Sequence, residues 1–242
     1  MTGVFMKLFK AISLAAMLAM AGAGAQAAVT VQKDNSNPFT IPGLTGFVTL
    51  GDDMTGMTVT ARFSGVGDGP IEETLTWAAT GAGSGGVTST LGGWGLSVSG
   101  DTFSAAWEFT IDGQAGLGQL TSFTLDGGAL NAFTVFDTSD PQPGTEGSAN
   151  GRDFQFFGGC DNCDANVVYS IPVAIAPNAA VGDIYHVMTV NFLDDTGPAT
   201  DFSFRQDTDN DARRSNPVPE PGSLMLAGLA LAGLGVARRR VR

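Results

Sequence analysis

The chain has one histidine, two cysteines and twelve lysines and arginines in 242 residues. With His186 as the lone imidazole, a histidine-dependent hydrolase has one residue to rest on. Cys160 and Cys163 with one histidine fall short of the four ligands of a closed zinc site. No serine stands in Gly-x-Ser-x-Gly, which removes the commonest esterase signal. Basic charge is scarcest in the middle. The formal charge of −12 divides into +2 from Lys7 and Lys10, +3 from the last 26 residues and −17 from the stretch between. Such an acidic body excludes nucleic acid, whose phosphates demand a basic footprint, and opposes anionic lipid surfaces. It suits solubility outside a cell and contact with divalent cations. Helical runs of Ala, Leu, Glu, Lys and Arg are missing between the two terminal segments, so an all-β body is expected.

The two ends are of another kind. Lys7 and Lys10 flank an apolar run from Ala11 to Ala23, followed by Ala25-Gln26-Ala27. A positive segment, a short apolar core and small residues at −3 and −1 make a secretory signal peptide over residues 1–27. Cleavage is placed after Ala27, with Ala25 the alternative. At the far end Pro217-Val218-Pro219-Glu220-Pro221 cannot continue a helix, because proline lacks the amide donor and restricts the residue before it. Leu224 to Ala237 is uncharged and helix-compatible, and Arg238-Arg239-Arg240 follows. A helix of those fourteen residues rises about 21 Å, short of a hydrocarbon core of about 30 Å. Gly222 and Ser223 extend the uncharged length, the arginines snorkel and the bilayer thins, so the segment spans, with its arginines on the cytoplasmic side.

Val218-Pro219-Glu220-Pro221, a short apolar helix and a terminal arginine cluster, in that order, resemble the PEP-CTERM sorting signal of Gram-negative bacteria. The resemblance covers the last tenth of the chain. It implies recognition and processing near the motif by an integral-membrane enzyme, exosortase. It also implies a precursor anchored in the inner membrane and delivery to the envelope surface or an extracellular matrix that accompanies exopolysaccharide.

Between the ends, period-two alternation in Met57-Thr58-Val59-Thr60-Ala61-Arg62-Phe63 and Trp107-Glu108-Phe109-Thr110-Ile111 marks strands with one buried face. Strands are expected near 47–50, 57–63, 74–78, 95–99, 103–111, 120–125, 133–136, 154–157, 167–175, 184–192 and 202–205. Turn signals such as Gly51-Asp52-Asp53, Gly100-Asp101 and Asp126-Gly127-Gly128 separate them. Many short strands at this spacing mean an antiparallel β-sandwich, jelly roll or barrel over residues 28–205. Residues 137–152 read as an exposed loop, 206–216 as an acidic linker, and 217–242 as the sorting signal.

Cys160 and Cys163, three apart in an exported chain, read as a disulfide pinning a local loop, since Asp161 and Asp164 oppose the depressed thiol pKa of a redox pair. His186 alternates with apolar neighbours and is expected to face outward. Gly81 to Gly86 formally fits Gly-x-Gly-x-x-Gly but opens no helix, so it reads as a flexible Gly/Ser loop. Adjacent carboxylates at 52–53, 72–73 and 194–195 point to opposite faces of a strand and make no shared glycosidase site. The candidate Ca2+ ligands are Asp207, Asp209 and Asp211, although Ala212 stands where an EF-hand needs glycine and Val218 where it needs glutamate. Trp77 and Trp107 belong to a core, and Trp94, among glycines, is the ring expected at the surface. No catalytic residue and no cofactor beyond that candidate Ca2+ are expected. The expected role is structural or adhesive, at the cell surface or in an exopolysaccharide matrix. The alternatives are a carbohydrate-binding module, which needs exposed aromatic rings, and a secreted hydrolase, which needs convergent carboxylates.

Overall fold

A computed structural model describes residues 27–45, 48–67, 69–128, 132–139, 151–177, 183–193 and 196–214. Most of the signal segment, including Ala25, and the whole sorting segment, with Pro219, Glu220 and Arg238 to Arg240, lie outside these residues. The described chain is all-β, with fifteen strands in two sheets.

The larger sheet takes β1 (Val29–Lys33), β2 (Phe39–Ile41), β3 (Thr58–Phe63), β4 (Ile71–Thr76), β9 (Leu120–Asp126), β10 (Thr134–Asp137), β12 (Ala165–Ile175), β13 (Ile184–Phe192) and β15 (Asp207–Asn210). The smaller takes β5 (Ala78–Gly81), β6 (Ser84–Thr88), β7 (Trp94–Ser99), β8 (Trp107–Ile111), β11 (Gln155–Gly158) and β14 (Phe202–Arg205). Alternation explains the two-faced strands: in β8, Trp107, Phe109 and Ile111 are buried while Glu108 and Thr110 are exposed. Most pairings are antiparallel, as expected. The two N-terminal strands differ: β1 and then β2 lie end to end along one edge of β12, and both run parallel to it.

The inner faces meet in an aromatic layer, which gives a sandwich-like arrangement. Phe123 of the larger sheet has ring centroids 5.5 Å from Phe109 and 5.4 Å from Phe204 of the smaller. Phe109 stacks on Trp94 and Phe202, and Trp107 on Phe204. Each such pair is worth about 0.5–1.5 kcal/mol beyond its area, and those made by Phe123 cross from one sheet to the other. A second, smaller cluster of Ile41, Val135, Val173, Ile175 and Ile184 lies under β2.

Register gives the molecule two distinct ends. Thr58 pairs with Thr76 and Asp126, and Asp126 with Val187, at one end. Phe63 pairs with Ile71, and Ala165 with Phe192, at the other. The last described turn, 212–214, belongs to the first end, where the Ala212 amide donates to the Gly43 carbonyl at 2.8 Å.

Two sequence expectations are corrected here, and two strands are new. The glycine-rich stretch 81–86 is no loose loop: β5 and β6 form a hairpin there, and a Cβ on Gly85 would stand 2.1 Å from the Gly51 carbonyl oxygen. The segment read as an acidic linker begins with a strand, since β15 pairs with β10 through four consecutive residues and all four of its own are buried. Strands β1 and β2 had no sequence counterpart at all.

Candidate functional site

Strand β15 brings charge where it is least expected. In the pairing with β10, Asp207 stands opposite Asp137 and Asp209 opposite Val135, so the three carboxylates share a face. Asp209 is only 2 % exposed, and its Oδ2 has no hydrogen-bond partner. Burial, reinforced by the charge of Asp137, raises the Asp207 carboxyl to about 7 and the Asp209 carboxyl to about 8. Asp207, Asp183 and Asp101 add to the repulsion at Asp209.

Gln206, which no sequence signal singled out, fixes this strand. Its Nε2 donates to the carbonyls of Asp137 (3.2 Å) and Asp207 (2.8 Å), its Oε1 accepts the Tyr169 hydroxyl, and its carbonyl accepts the Trp107 indole N–H at 3.0 Å. Burial holds the Tyr169 hydroxyl well above the usual phenol range, so it serves as a neutral donor.

Of the candidate Ca2+ ligands, Asp207 and Asp209 share a face, and Asp211 is engaged by Arg213. Asp207 accepts from Thr102 Oγ1 at 3.3 Å, while Asp211 accepts the Arg213 amide at 2.8 Å and pairs with its guanidinium. No three His, Cys, Asp or Glu among the described residues form a group that could hold a metal ion.

His186 is buried, 4 % exposed, which corrects its expected outward position. Both faces of the start of β13 are covered: the Phe39 ring stands edge-on at 5.5 Å, and Gly128 leaves room for the imidazole. Its Nδ1 lies 3.4 Å from the Thr134 carbonyl. Burial, assisted by the Arg213 charge, lowers its pKa despite that carbonyl and the charges of Asp211 and Asp126. The result is a neutral core imidazole.

Trp94 is corrected in the same way. It is 4 % exposed, and its indole N–H donates to Glu73 at 2.8 Å. Glu73 also accepts from Ser89 Oγ at 2.6 Å and from the Thr90 amide at 2.9 Å. Burial pushes this carboxyl up, but the hydrogen bonds from Ser89, Thr90 and Trp94 outweigh it and hold the pKa below its ordinary value. All three tryptophans face inward, and none offers a ring to a sugar.

Cys160 and Cys163 form a disulfide with their Cα atoms 5.2 Å apart. It lies at the end of the molecule remote from residues 212–214, beside Asp164, whose carbonyl accepts the Leu193 amide. A groove of about 410 Å3 opens there, lined by Gln119, Asp161, Asn162, Thr196 and Thr200 together with the disulfide. Its donors are amides and hydroxyls, with no nucleophile–base pair.

The described residues thus present a closed, aromatic-cored body. Beyond them, residues 217–240 match the family model described as the PEP-CTERM protein-sorting motif. The chain carries a PEP-CTERM protein-sorting motif. The match spans the proline motif, the apolar run and the arginines through Arg240. A PEP-CTERM signal of this kind implies export, a membrane-anchored precursor and processing by exosortase. No curated protein matches the chain, and no solved structure does.

Proposed function

We propose that this PEP-CTERM chain is a structural or adhesive protein of the cell surface or exopolysaccharide matrix, exported through its signal peptide with cleavage after Ala27. The C-terminal apolar helix anchors the precursor in the inner membrane until exosortase acts near Val218-Pro219-Glu220-Pro221. The observation that carries this reading is the sorting motif at 217–240, attached to a body whose three tryptophans lie in its own core. Burial of Trp94 takes from the carbohydrate-binding alternative the ring it depended on. The convergent carboxylates are at Asp137, Asp207 and Asp209, inside the fold, where a hydrolase cannot bring substrate to them.

In the tail, Pro219 and Pro221 hold Glu220 extended at the outer membrane surface, Leu224 to Ala237 sets its depth, and Arg238 to Arg240 resist transfer across the bilayer. Replacing Pro219-Glu220-Pro221 by alanines leaves export intact and holds an untrimmed chain in the inner membrane. Cell fractionation and mass spectrometry of the C-terminus, in hosts with and without exosortase, test this. An alanine variant trimmed and delivered like the parent shows that the motif is not the recognition element.

A further inference from the structure

The described fold continues much closer to the sorting motif than an acidic linker over 206–216 would allow. β15 and the turn at 212–214 are bonded into the body, and only Ser215 and Asn216 separate Arg214 from Pro217. From Arg214 to Gly222 there are eight Cα steps, a reach of at most about 28 Å. The body itself is longer than that. The eleven residues of β12 run from the disulfide end to the tail-exit end and cover about 33 Å.

We propose that in the anchored precursor the sandwich keeps its tail-exit end toward the bilayer and cannot invert. The bilayer-facing end is built from β2, residues 43–45, Thr49, the β10–β15 pair and the turn at 212–214. The disulfide and its groove of amides and hydroxyls point away. The inverted pose requires the exit end to stand about 33 Å above the membrane, beyond the roughly 28 Å that the connecting segment reaches. Adhesion is not what orients the body, because its charge of −17 opposes an anionic lipid surface. The short connection is. This inference rests on the reading that the tail is membrane-anchored.

Two exposed valines report the two ends. Val48 is 61 % exposed and precedes Thr49, which is hydrogen-bonded to Thr102 and Asn210 at the exit end. Val66 is 69 % exposed and follows Gly65, which is bonded to Leu117 at the other. Val48→Cys and Val66→Cys chains of residues 28–242, the precursor without its signal peptide, are each labelled with a donor dye and reconstituted into phosphatidylcholine vesicles carrying an acceptor lipid in the outer leaflet. The native cysteines are closed and take no label. Energy transfer from position 48 is expected to exceed that from 66. A Gly/Ser spacer of roughly thirty residues inserted after Arg214 abolishes the difference, because its mean span of about 30 Å frees the body to tumble. Equal transfer from the two positions in the parent overturns the inference while leaving the anchor intact. A difference that survives the spacer also overturns it, by showing that the body binds lipid itself. A chain that stays out of the vesicles refutes the anchored reading, and the inference falls with it.

Discussion

Asp209→Asn tests the burial of acid in β15 most directly. In the folded chain burial and Asp137 raise this carboxyl from its ordinary 3.8 to about 8. Between those values the native state keeps a proton that the unfolded chain releases. Stability therefore declines as pH rises above 3.8, and the loss is complete near 8. One proton of difference corresponds to about 1.4 kcal/mol per pH unit. From pH 6 to pH 8 Asp209 alone removes about 2 kcal/mol. Asp207, raised to about 7, adds about 1 kcal/mol over the same interval before it levels off. At about 2–4 °C per kcal/mol for a domain of this size, the parent should melt about 6–12 °C lower at pH 8 than at pH 6. Asparagine at 209 keeps the shape and cannot ionise, so the variant should lose only the smaller share due to Asp207. Circular-dichroism melts of parent and variant at half-unit steps of pH measure this. A parent melting temperature that is flat or rises from pH 6 to 8 refutes the reasoning, as does an equal decline in Asp209→Asn.

Three further outcomes are expected. Glu73→Leu removes the acceptor from the buried Trp94 indole and the Thr90 amide, and should cost about 2–4 kcal/mol in denaturant melts; a loss below 0.5 kcal/mol contradicts the network. Gly85→Ala drives a methyl into the Gly51 carbonyl and the Trp77 indole nitrogen, 2.1 and 2.3 Å away, and should destabilise by about 1–3 kcal/mol or more, read by the same melts; an unchanged midpoint means that this contact yields freely. Alkylation of the exported protein without reductant should label neither Cys160 nor Cys163, and quantitative labelling would show the pair to be open.

Where a strand has one wet face and one dry face, its sequence announces it. Strands β13 and β14 have the bounds that alternation suggested, 184–192 and 202–205, and β8 keeps its inner row of Trp107, Phe109 and Ile111. The failures share a cause, which is a partner remote in sequence. Trp94 is sheltered by Glu73, twenty-one residues earlier, and His186 by Phe39 and the Thr134 carbonyl. Glycines at 85 and 86 looked like flexibility, but they let backbones approach where a Cβ would meet the oxygens of Gly51 and Leu96. In Asp207-Thr208-Asp209-Asn210 the composition is that of a solvated linker. Only the Gln206 network and the pairing with β10 explain why it lies inside. The sorting signal was the most legible part, because its recognition depends on local order of residues rather than on tertiary neighbours.

The parallel pairing of β1 with β12 carries a consequence for the order of assembly. Val29 is matched with Ala165 and Lys33 with Tyr169, so the first strand has no ladder to join until some 136 further residues exist. β2 needs nearly as many, 39 being matched with 173 and 41 with 175. Loop closure over such separations slows folding. A nascent chain holding only its first hundred residues therefore has the β3–β4 hairpin of the larger sheet and β5, β6 and β7 of the smaller one, but none of β9, β12 and β13, which make the centre of the larger sheet. The chain's own topology keeps its leading segment extended and unpaired while the remainder is being made, which is the state in which a polypeptide is threaded across a membrane.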